Sequence, residues 1–265
     1  MKTRKNTIQK RKTRRKYNLF KIPIVVICWN ELTYIKKMIE QLKHFNHPII
    51  LLDNHSTYEP LLKYYKEIKK DLGNKIEIRM LKKNYGNTVY LKLKHTLPRI
   101  YILTDPDIEL NKHMPENFAE ILLEVSEKYK MYKIGVALDT TNKEQFLNCG
   151  SPNSSKKLFN YHAQFSNKKI EDDTYELYNA FVDTTFCLVN TKYAIKDYDI
   201  SKDYMHSTKP ALRIAGNFTA KHLPWYKNSL KKMPKNEFNA YIKNSKSSTI
   251  VRNCIIPMMK KKEED

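Results

Sequence analysis

The chain has 265 residues, and 41% of them are apolar, which is enough to enclose a sizeable core and excludes a disordered protein. It is strongly basic, because 49 Lys and Arg against 28 Asp and Glu give a formal charge of +21. No apolar run approaches the roughly 20 residues that a membrane-spanning helix needs, and the charged N-terminus lacks the apolar segment of a secretory signal. We therefore expect a folded cytoplasmic protein with no transmembrane segment.

The basic charge is concentrated at the N-terminus. Residues 1–21 contain ten Lys or Arg and no acid, which leaves a charge of +11 on the remainder. With so few apolar residues this segment is expected to be a disordered tail. Its first 18 residues, which include KRKTRRK, either act as a nuclear-targeting signal, bind a nucleic acid or another anionic surface, or are solvated without a specific partner; a nuclear or virion-associated location stays open as well. Residues 22–240 are expected to form one domain, and residues 241–265 a C-terminal strap with a charged end.

After the tail, short β-branched runs alternate with amphipathic segments. Strands are predicted at 21–28, 48–52, 75–81, 100–103, 134–138 and 183–189, and helices at 31–44, 61–72 and 115–129. The stretches 140–180 and 200–230 are polar and irregular, so no complete strand is predicted there. This alternation predicts a single Rossmann-like α/β domain with a mostly parallel central sheet flanked by helices. Ligands of such sheets bind at the carboxyl ends of the strands.

Acidic side chains follow three of the first four predicted strands: Glu31 after the first, Asp53 after the second, and Asp105 and Asp107 after the fourth. Asp105 and Asp107 come directly after the strand 100–103 and flank a proline. Like charges at the end of a buried strand are costly unless a cation compensates them. Oxygen ligands suit Mg²⁺ or Mn²⁺, which also engage phosphates; the alternative is a pair of capping and turn residues. Asp53 ends the strand 48–52, where it either accepts hydrogen bonds from a nucleoside or caps the next helix.

Several blocks of sequence resemble a known family. The blocks IPIVVICWNELTYIKKMIEQL, IILLDNHSTYEPLLKYY, LKKNYGN and YILTDPDIEL follow one another in the order found in nucleotide-sugar-dependent glycosyltransferases of the A-type fold, near family 2. Two later blocks, YNAFVDTTFCLVN and RIAGNFTAKHLPWY, resemble the acceptor-side and closing segments of a small subgroup of these enzymes. The resemblance spans roughly residues 22–228 and implies a single domain of the A-type fold.

The resemblance implies roles for residues on the nucleoside side of the site. Asp53 would bind the nucleoside, while Asn30 and the loop 84–86, which begins with Asn84, would line the base pocket. Asp105 would reach the ribose or a metal-bound water. The donor implied is a UDP-sugar.

The resemblance also implies roles on the diphosphate side. Asp107 and His222 would ligate the Mn²⁺ or Mg²⁺ ion that bridges the donor diphosphate. Arg213 and Lys221 would contact the diphosphate, although either could be surface charge. Gly216 would allow a close approach of the backbone to phosphate.

Asp183 is the candidate general base of an inverting transfer. It precedes the apolar residues of the strand 183–189, where burial can raise the pKa of a carboxylate toward a useful value. Three other acids compete for this role: Asp139, Asp172 and Asp173.

The sequence thus predicts a metal-dependent hexosyltransferase that moves a sugar, with inversion, from a UDP-sugar to a hydroxyl of a glycan, protein or lipid. A nucleotidyltransferase uses a similar sheet and metal site, but it normally has a Gly-rich loop after the first strand, and CWNE at 28–31 contains no glycine. Two further alternatives are a protein that binds nucleic acid through its tail and a descendant that binds UDP without turnover.

Overall fold

A computed structural model describes residues 21–147, 168–194, 211–227, 229 and 233–243. Residues 1–20 of the tail predicted at 1–21, and most of the predicted C-terminal strap, lie outside these residues. The first half of the domain contains β1 (Ile24–Cys28), α1 (Leu32–Leu42), β2 (Ile49–Asp53), α2 (Glu59–Leu72), β3 (Ile76–Met80), α3 (Val89–Lys92) and β4 (Ile100–Thr104).

The second half is built from shorter elements. It contains β5 (Ile108–Glu109), α4 (Phe118–Tyr129), β6 (Lys133–Val136), β7 (Lys169–Ile170), β8 (Leu177–Asn179), β9 (Cys187–Asn190), β10 (Ala211–Ile214), β11 (Lys221–His222) and α5 (Lys235–Lys243). The expected domain boundary at residue 240 falls inside α5. No helix in the described ranges is both long and apolar enough to span a bilayer.

Nine strands form one central sheet in the order β3-β2-β1-β4-β9-β6-β10-β8-β7. The pairings give seven of these strands one direction, and only β8 and β9 run against it. The sheet is therefore mixed but mostly parallel, as predicted. β5 and β11 form a separate two-stranded antiparallel ladder.

The core lies on both faces of the sheet because alternate residues of a strand point to opposite sides. In β1, Ile24, Val26 and Cys28 pack with the apolar stripes of α1, α2 and α4. Val25 and Ile27 face the other side, where the cluster includes residues of α3. The helices predicted at 31–44, 61–72 and 115–129 are confirmed, each within a few residues of its expected ends.

Three sequence-based expectations need correction. The stretch 140–180, in which no complete strand was expected, contains β7 and β8 at one edge of the sheet. The stretch 200–230, expected to be irregular, contains β10 in the middle of the sheet, where ALRI pairs with both β6 and β8. The strand expected to begin at Asp183 begins at Cys187. The chain turns before it, with Phe186 at a positive φ of 38° and its N–H donating to Thr184 O at 3.2 Å.

Candidate active site

The ladder between β5 and β11 brings Asp107 and His222 together. Ile108 pairs with His222, and the Leu223 N–H donates to the Asp107 carbonyl at 2.9 Å. His222 Nε2 then lies 3.4 Å from Asp107 Oδ2. Burial alone would lower the pKa of His222, but the adjacent Asp107 carboxylate raises it above its ordinary value. Without a metal, Asp107 therefore favours the protonated form of His222 at the mouth of β4.

Asp107 has one oxygen that the fold leaves unsatisfied. Its Oδ1 is buried, and no described residue donates to it. A buried carboxylate oxygen without a partner is costly, and a divalent cation beside the imidazole would satisfy it. The described parts of the chain contain no group of three His, Cys, Asp or Glu side chains that could hold a metal. Two protein ligands fit an ion that completes its shell with water and substrate phosphates.

Two further carboxyl groups stand close to this pair. Burial, and then the charge of Asp107, raises the pKa of Asp105 well above its ordinary value. Burial, followed by the charges of Asp107 and Asp105, does the same to the pKa of Glu31, which is 7% exposed. Three carboxyl groups are therefore crowded beside one imidazole, and a bound cation would favour their ionised forms.

Asp105 is tied directly to the segment that carries Asp183. Its N–H donates to Thr184 O at 2.8 Å, and the Thr184 hydroxyl donates to Asp105 Oδ2. Asp183 Oδ1 accepts from the N–H and the hydroxyl of Thr185. The Asp183 side chain is 22% exposed, so it is oriented by the fold and still reachable from solvent.

Arg213 is neither surface charge nor open to a ligand in this arrangement. It is 0% exposed, and its guanidinium donates to Phe181 O at 2.9 Å, Val136 O at 2.6 Å and Thr185 Oγ1 at 3.1 Å. Its Nη2 lies 3.5 Å from Asp183 Oδ1. The position predicted to contact the diphosphate therefore supports Asp183 instead. Lys221, in β11, is partly exposed and lies over the Tyr226 ring at 5.9 Å.

The residues predicted for the nucleoside are largely engaged by the fold. Asp53 is 0% exposed and accepts from Ser56 N at 2.7 Å and the Tyr65 hydroxyl at 2.7 Å. Asn30, at a positive φ of 50°, accepts from two backbone N–H groups that precede α2 and donates to Ala240 O in α5. Both side chains shape the end of the sheet, and their contact with a nucleoside stays a prediction.

The loop after β3 is anchored by Asn54, which is 2% exposed. Its side chain accepts from Tyr85 N at 3.1 Å and donates to Gly86 O at 3.1 Å. Asn84 is exposed, and its Oδ1 accepts from the Gly86 N–H at 2.7 Å. Gly86 has a positive φ of 71°, which glycine adopts without strain.

The three competing acids lie in other settings. Asp172 accepts from Lys128, Tyr129 and two backbone N–H groups, and these bonds lower its pKa even though burial opposes ionisation. Asp139 Oδ1 accepts from the N–H and hydroxyl of Thr141. Asp173 is exposed. Of the four candidates, Asp183 is the one joined to Asp105 through its neighbour.

Several residues at the site were given no role by sequence reasoning: Glu31, Asn54, Lys133, Thr184 and Thr185. Glu31 follows a strand end, which was a usable signal, and the two threonines adjoin Asp183. Lys133 had no signal, because a lysine in a short strand is ordinarily assigned to the surface.

No protein-family model matches the chain, and no curated protein matches it significantly. Several solved structures, in contrast, match this chain. The crystal structure of GalNAc-T7 with UDP, GalNAc and Mn²⁺ matches with a TM-score of 0.52 at 12% identity, covering 94% of this chain and 55% of that chain. This match shows a shared fold.

Two other structures match with lower scores. The mannosyltransferase PcManGT from Pyrobaculum calidifontis in complex with GDP-Man and Mn²⁺ has a TM-score of 0.40 at 9% identity, covering 74% of this chain and 56% of that chain. S. aureus TarS has a TM-score of 0.34 at 17% identity, covering 45% of this chain and 22% of that chain. This chain covers 55% of the GalNAc-T7 chain and similar or smaller shares of the other two. With its mixed, mostly parallel sheet, the match to GalNAc-T7 shows a glycosyltransferase fold of the A type.

Proposed function

We propose that this protein is a metal-dependent glycosyltransferase that moves a sugar from a nucleoside-diphosphate sugar, a UDP-sugar, to a hydroxyl acceptor with inversion. One observation carries the proposal: an antiparallel ladder brings Asp107 to His222 and leaves Asp107 Oδ1 buried without a partner. The fold shared with GalNAc-T7, whose structure holds UDP, GalNAc and Mn²⁺, is consistent with such a site.

Asp107 and His222 are the residues proposed to hold Mn²⁺ or Mg²⁺. When bound, the ion would neutralise the charge that the departing diphosphate gains. Because the Asp107 carboxylate raises the pKa of His222, a metal ion must compete with a proton for the imidazole, and metal binding should strengthen as the pH rises. Asp105, hydrogen bonded to Thr184, is proposed to orient the ribose or a metal-bound water.

Asp183 is proposed to accept the proton of the acceptor hydroxyl as that oxygen attacks the anomeric carbon. Its support is geometric: Thr185 and Arg213 hold one carboxylate oxygen, and the side chain is partly exposed. Asp53, Asn30 and Asn84 are proposed to shape the nucleoside pocket, with Lys221 beside the diphosphate. The acceptor is proposed to be a hydroxyl of a glycan, protein or lipid.

The donor site is tested by thermal unfolding with UDP, GDP and CDP, each with and without Mn²⁺. A ligand at about 100 times its dissociation constant adds about 2.7 kcal/mol to the free energy of unfolding. We expect this gain for UDP with Mn²⁺ in the wild type and in Asp71→Asn, an exposed control in α2. Asp107→Asn should abolish it. If no nucleotide stabilises the wild type, or if Asp107→Asn keeps the metal-dependent gain, the proposal is wrong.

Transfer is tested by UDP release from a panel of UDP-sugars, with glycan and peptide acceptors. Asp183→Asn should keep the stabilisation by UDP and Mn²⁺ but lose acceptor-dependent turnover. Full turnover in this variant would exclude Asp183 as the base.

A further inference from the structure

The segment 181–185, which carries Asp183, is held by a buried lysine of β6. Lys133 Nζ donates to Val182 O at 3.2 Å, Asp183 O at 2.9 Å and the Tyr90 hydroxyl at 3.1 Å. These three acceptors match the three N–H donors of an ammonium group. Two of them are the backbone carbonyls of the proposed base and of the residue before it.

A second buried cation, Arg213 of β10, holds both ends of the same segment. Its Nε donates to Phe181 O, and both Nη atoms donate to Thr185 Oγ1 at 3.1 Å. The Thr185 hydroxyl in turn donates to Asp183 Oδ1, so holding Thr185 in place also restrains the Asp183 carboxylate. The guanidinium thus fixes the carboxylate through Thr185 as well as by its own 3.5 Å approach.

Gly135 lies between these cations and lets the segment approach the sheet. It is two residues from Lys133 along β6, and it pairs with Arg213 in the ladder of β6 and β10. A Cβ atom at Gly135 would meet Val182 Cγ1 at 2.6 Å and Cγ2 at 3.0 Å. Val182 is fully buried and β-branched, so it cannot rotate away easily. Any side chain at Gly135 would therefore displace the segment.

The burial of two cations behind this segment is energetically unfavourable, so it needs a functional explanation. Lys133 is 1% exposed and Arg213 is 0% exposed, and taking such charges out of water is unfavourable. Neutral donors, or an apolar packing of the segment, would avoid that cost. What the two cations add is a rigid position for one loop residue whose side chain remains reachable from solvent, Asp183.

We propose that Lys133, Gly135 and Arg213 are positioning residues, which set the carboxylate of Asp183 for proton abstraction in the transfer reaction; this inference rests on the proposed function. They do not touch the substrate. A displacement of the base of about 1 Å can cost about 100-fold in rate, so small changes behind the segment should affect kcat without affecting donor binding.

The test uses the complementary pair Gly135 and Val182. Gly135→Ala should lower kcat by about 100-fold and leave the KM for the UDP-sugar and the affinity for UDP with Mn²⁺ unchanged. Val182→Ala removes both clashing methyl groups. The double variant Gly135→Ala, Val182→Ala should therefore recover most of the lost kcat, which a loss of folded protein alone would not do.

Lys133→Met and Arg213→Lys provide a second measurement, with Leu51→Ala as the control for lost stability. Leu51 is fully buried in β2, four strands from β6 in the sheet. For each variant, kcat is divided by the folded fraction and compared with the affinity for UDP with Mn²⁺. The two cation variants should lose kcat at full nucleotide affinity, whereas Leu51→Ala should keep both.

Each outcome decides the question. Wild-type kcat in Gly135→Ala, no recovery in the double variant, or equal losses of kcat and nucleotide affinity would overturn the inference while the proposed function stands. A wild type that transfers no sugar would overturn the proposed function, and the inference would fall with it.

Discussion

Replacing Glu31 by glutamine should make the metal-free protein more stable at neutral pH. Burial and the charges of Asp107 and Asp105 raise the pKa of Glu31 well above its ordinary value of 4.5. Between these two pKa values the folded protein holds a proton that the unfolded chain has released. The free energy of unfolding therefore falls as the pH rises through this window. Glutamine does not titrate, so the variant lacks this dependence of the free energy of unfolding on pH.

The size of the effect follows from the number of protons. One proton difference changes the free energy of unfolding by about 1.4 kcal/mol per pH unit. Glu31→Gln should therefore gain on the wild type by up to about that amount for each unit above pH 5. Below pH 4 the wild-type carboxyl is protonated in both states, so any remaining difference between the two proteins should not depend on pH.

The assay is urea unfolding followed by circular dichroism from pH 4 to pH 8, with EDTA present to remove metal. Glu67→Gln, which changes an exposed residue of α2, is the control and should run parallel to the wild type. A difference between Glu31→Gln and the wild type that stays constant with pH would refute the reasoning. Glu31 would then be ionised in the folded protein at no cost.

Three further predictions concern contacts around the site. Glu237→Ala should cost about 2 kcal/mol, since it removes a buried carboxylate that accepts two hydrogen bonds, from the N–H and the hydroxyl of Thr33 at the start of α1; urea unfolding measures this, and Glu237→Gln should cost less. Asn54→Ala should cost about 1–2 kcal/mol and speed hydrogen exchange in the loop after β3, whereas unchanged exchange would show that other contacts hold that loop. Cys28 and Cys187 should resist a thiol reagent at pH 8 until the protein unfolds, because burial raises both pKa values, to about 11 for Cys187; mass spectrometry of labelled peptides is the check.

The first half of the fold was predictable because its strands and helices are long enough to show their periodicity. β1 is a five-residue run of buried side chains, and α1 places its apolar residues on one face. β10 was missed because ALRI is only four residues long and contains an arginine. A buried arginine in a central strand is intelligible only once its partners, Phe181 O and Thr185, are known.

The candidate site was predictable in its residue types but not in its connections. Asp105 and Asp107 follow a clear strand, so their place at the sheet end could be derived. The approach of His222 depends on a ladder of two residues per strand, too short to have a sequence pattern. The reassignment of Arg213 from a diphosphate contact to a support of Asp183 required its burial, which composition and spacing do not reveal.

The ladder between β5 and β11 has a consequence for how the protein folds. Asp107 and His222 are 115 positions apart in the chain, so their encounter closes a long loop and comes after the local helices and the neighbouring strands have formed. The proposed metal site is therefore expected to appear in the last stage of folding. Binding of Mn²⁺ during refolding would then report closure of this ladder, and it would not detect partly folded chains in which only β1 to β4 have paired.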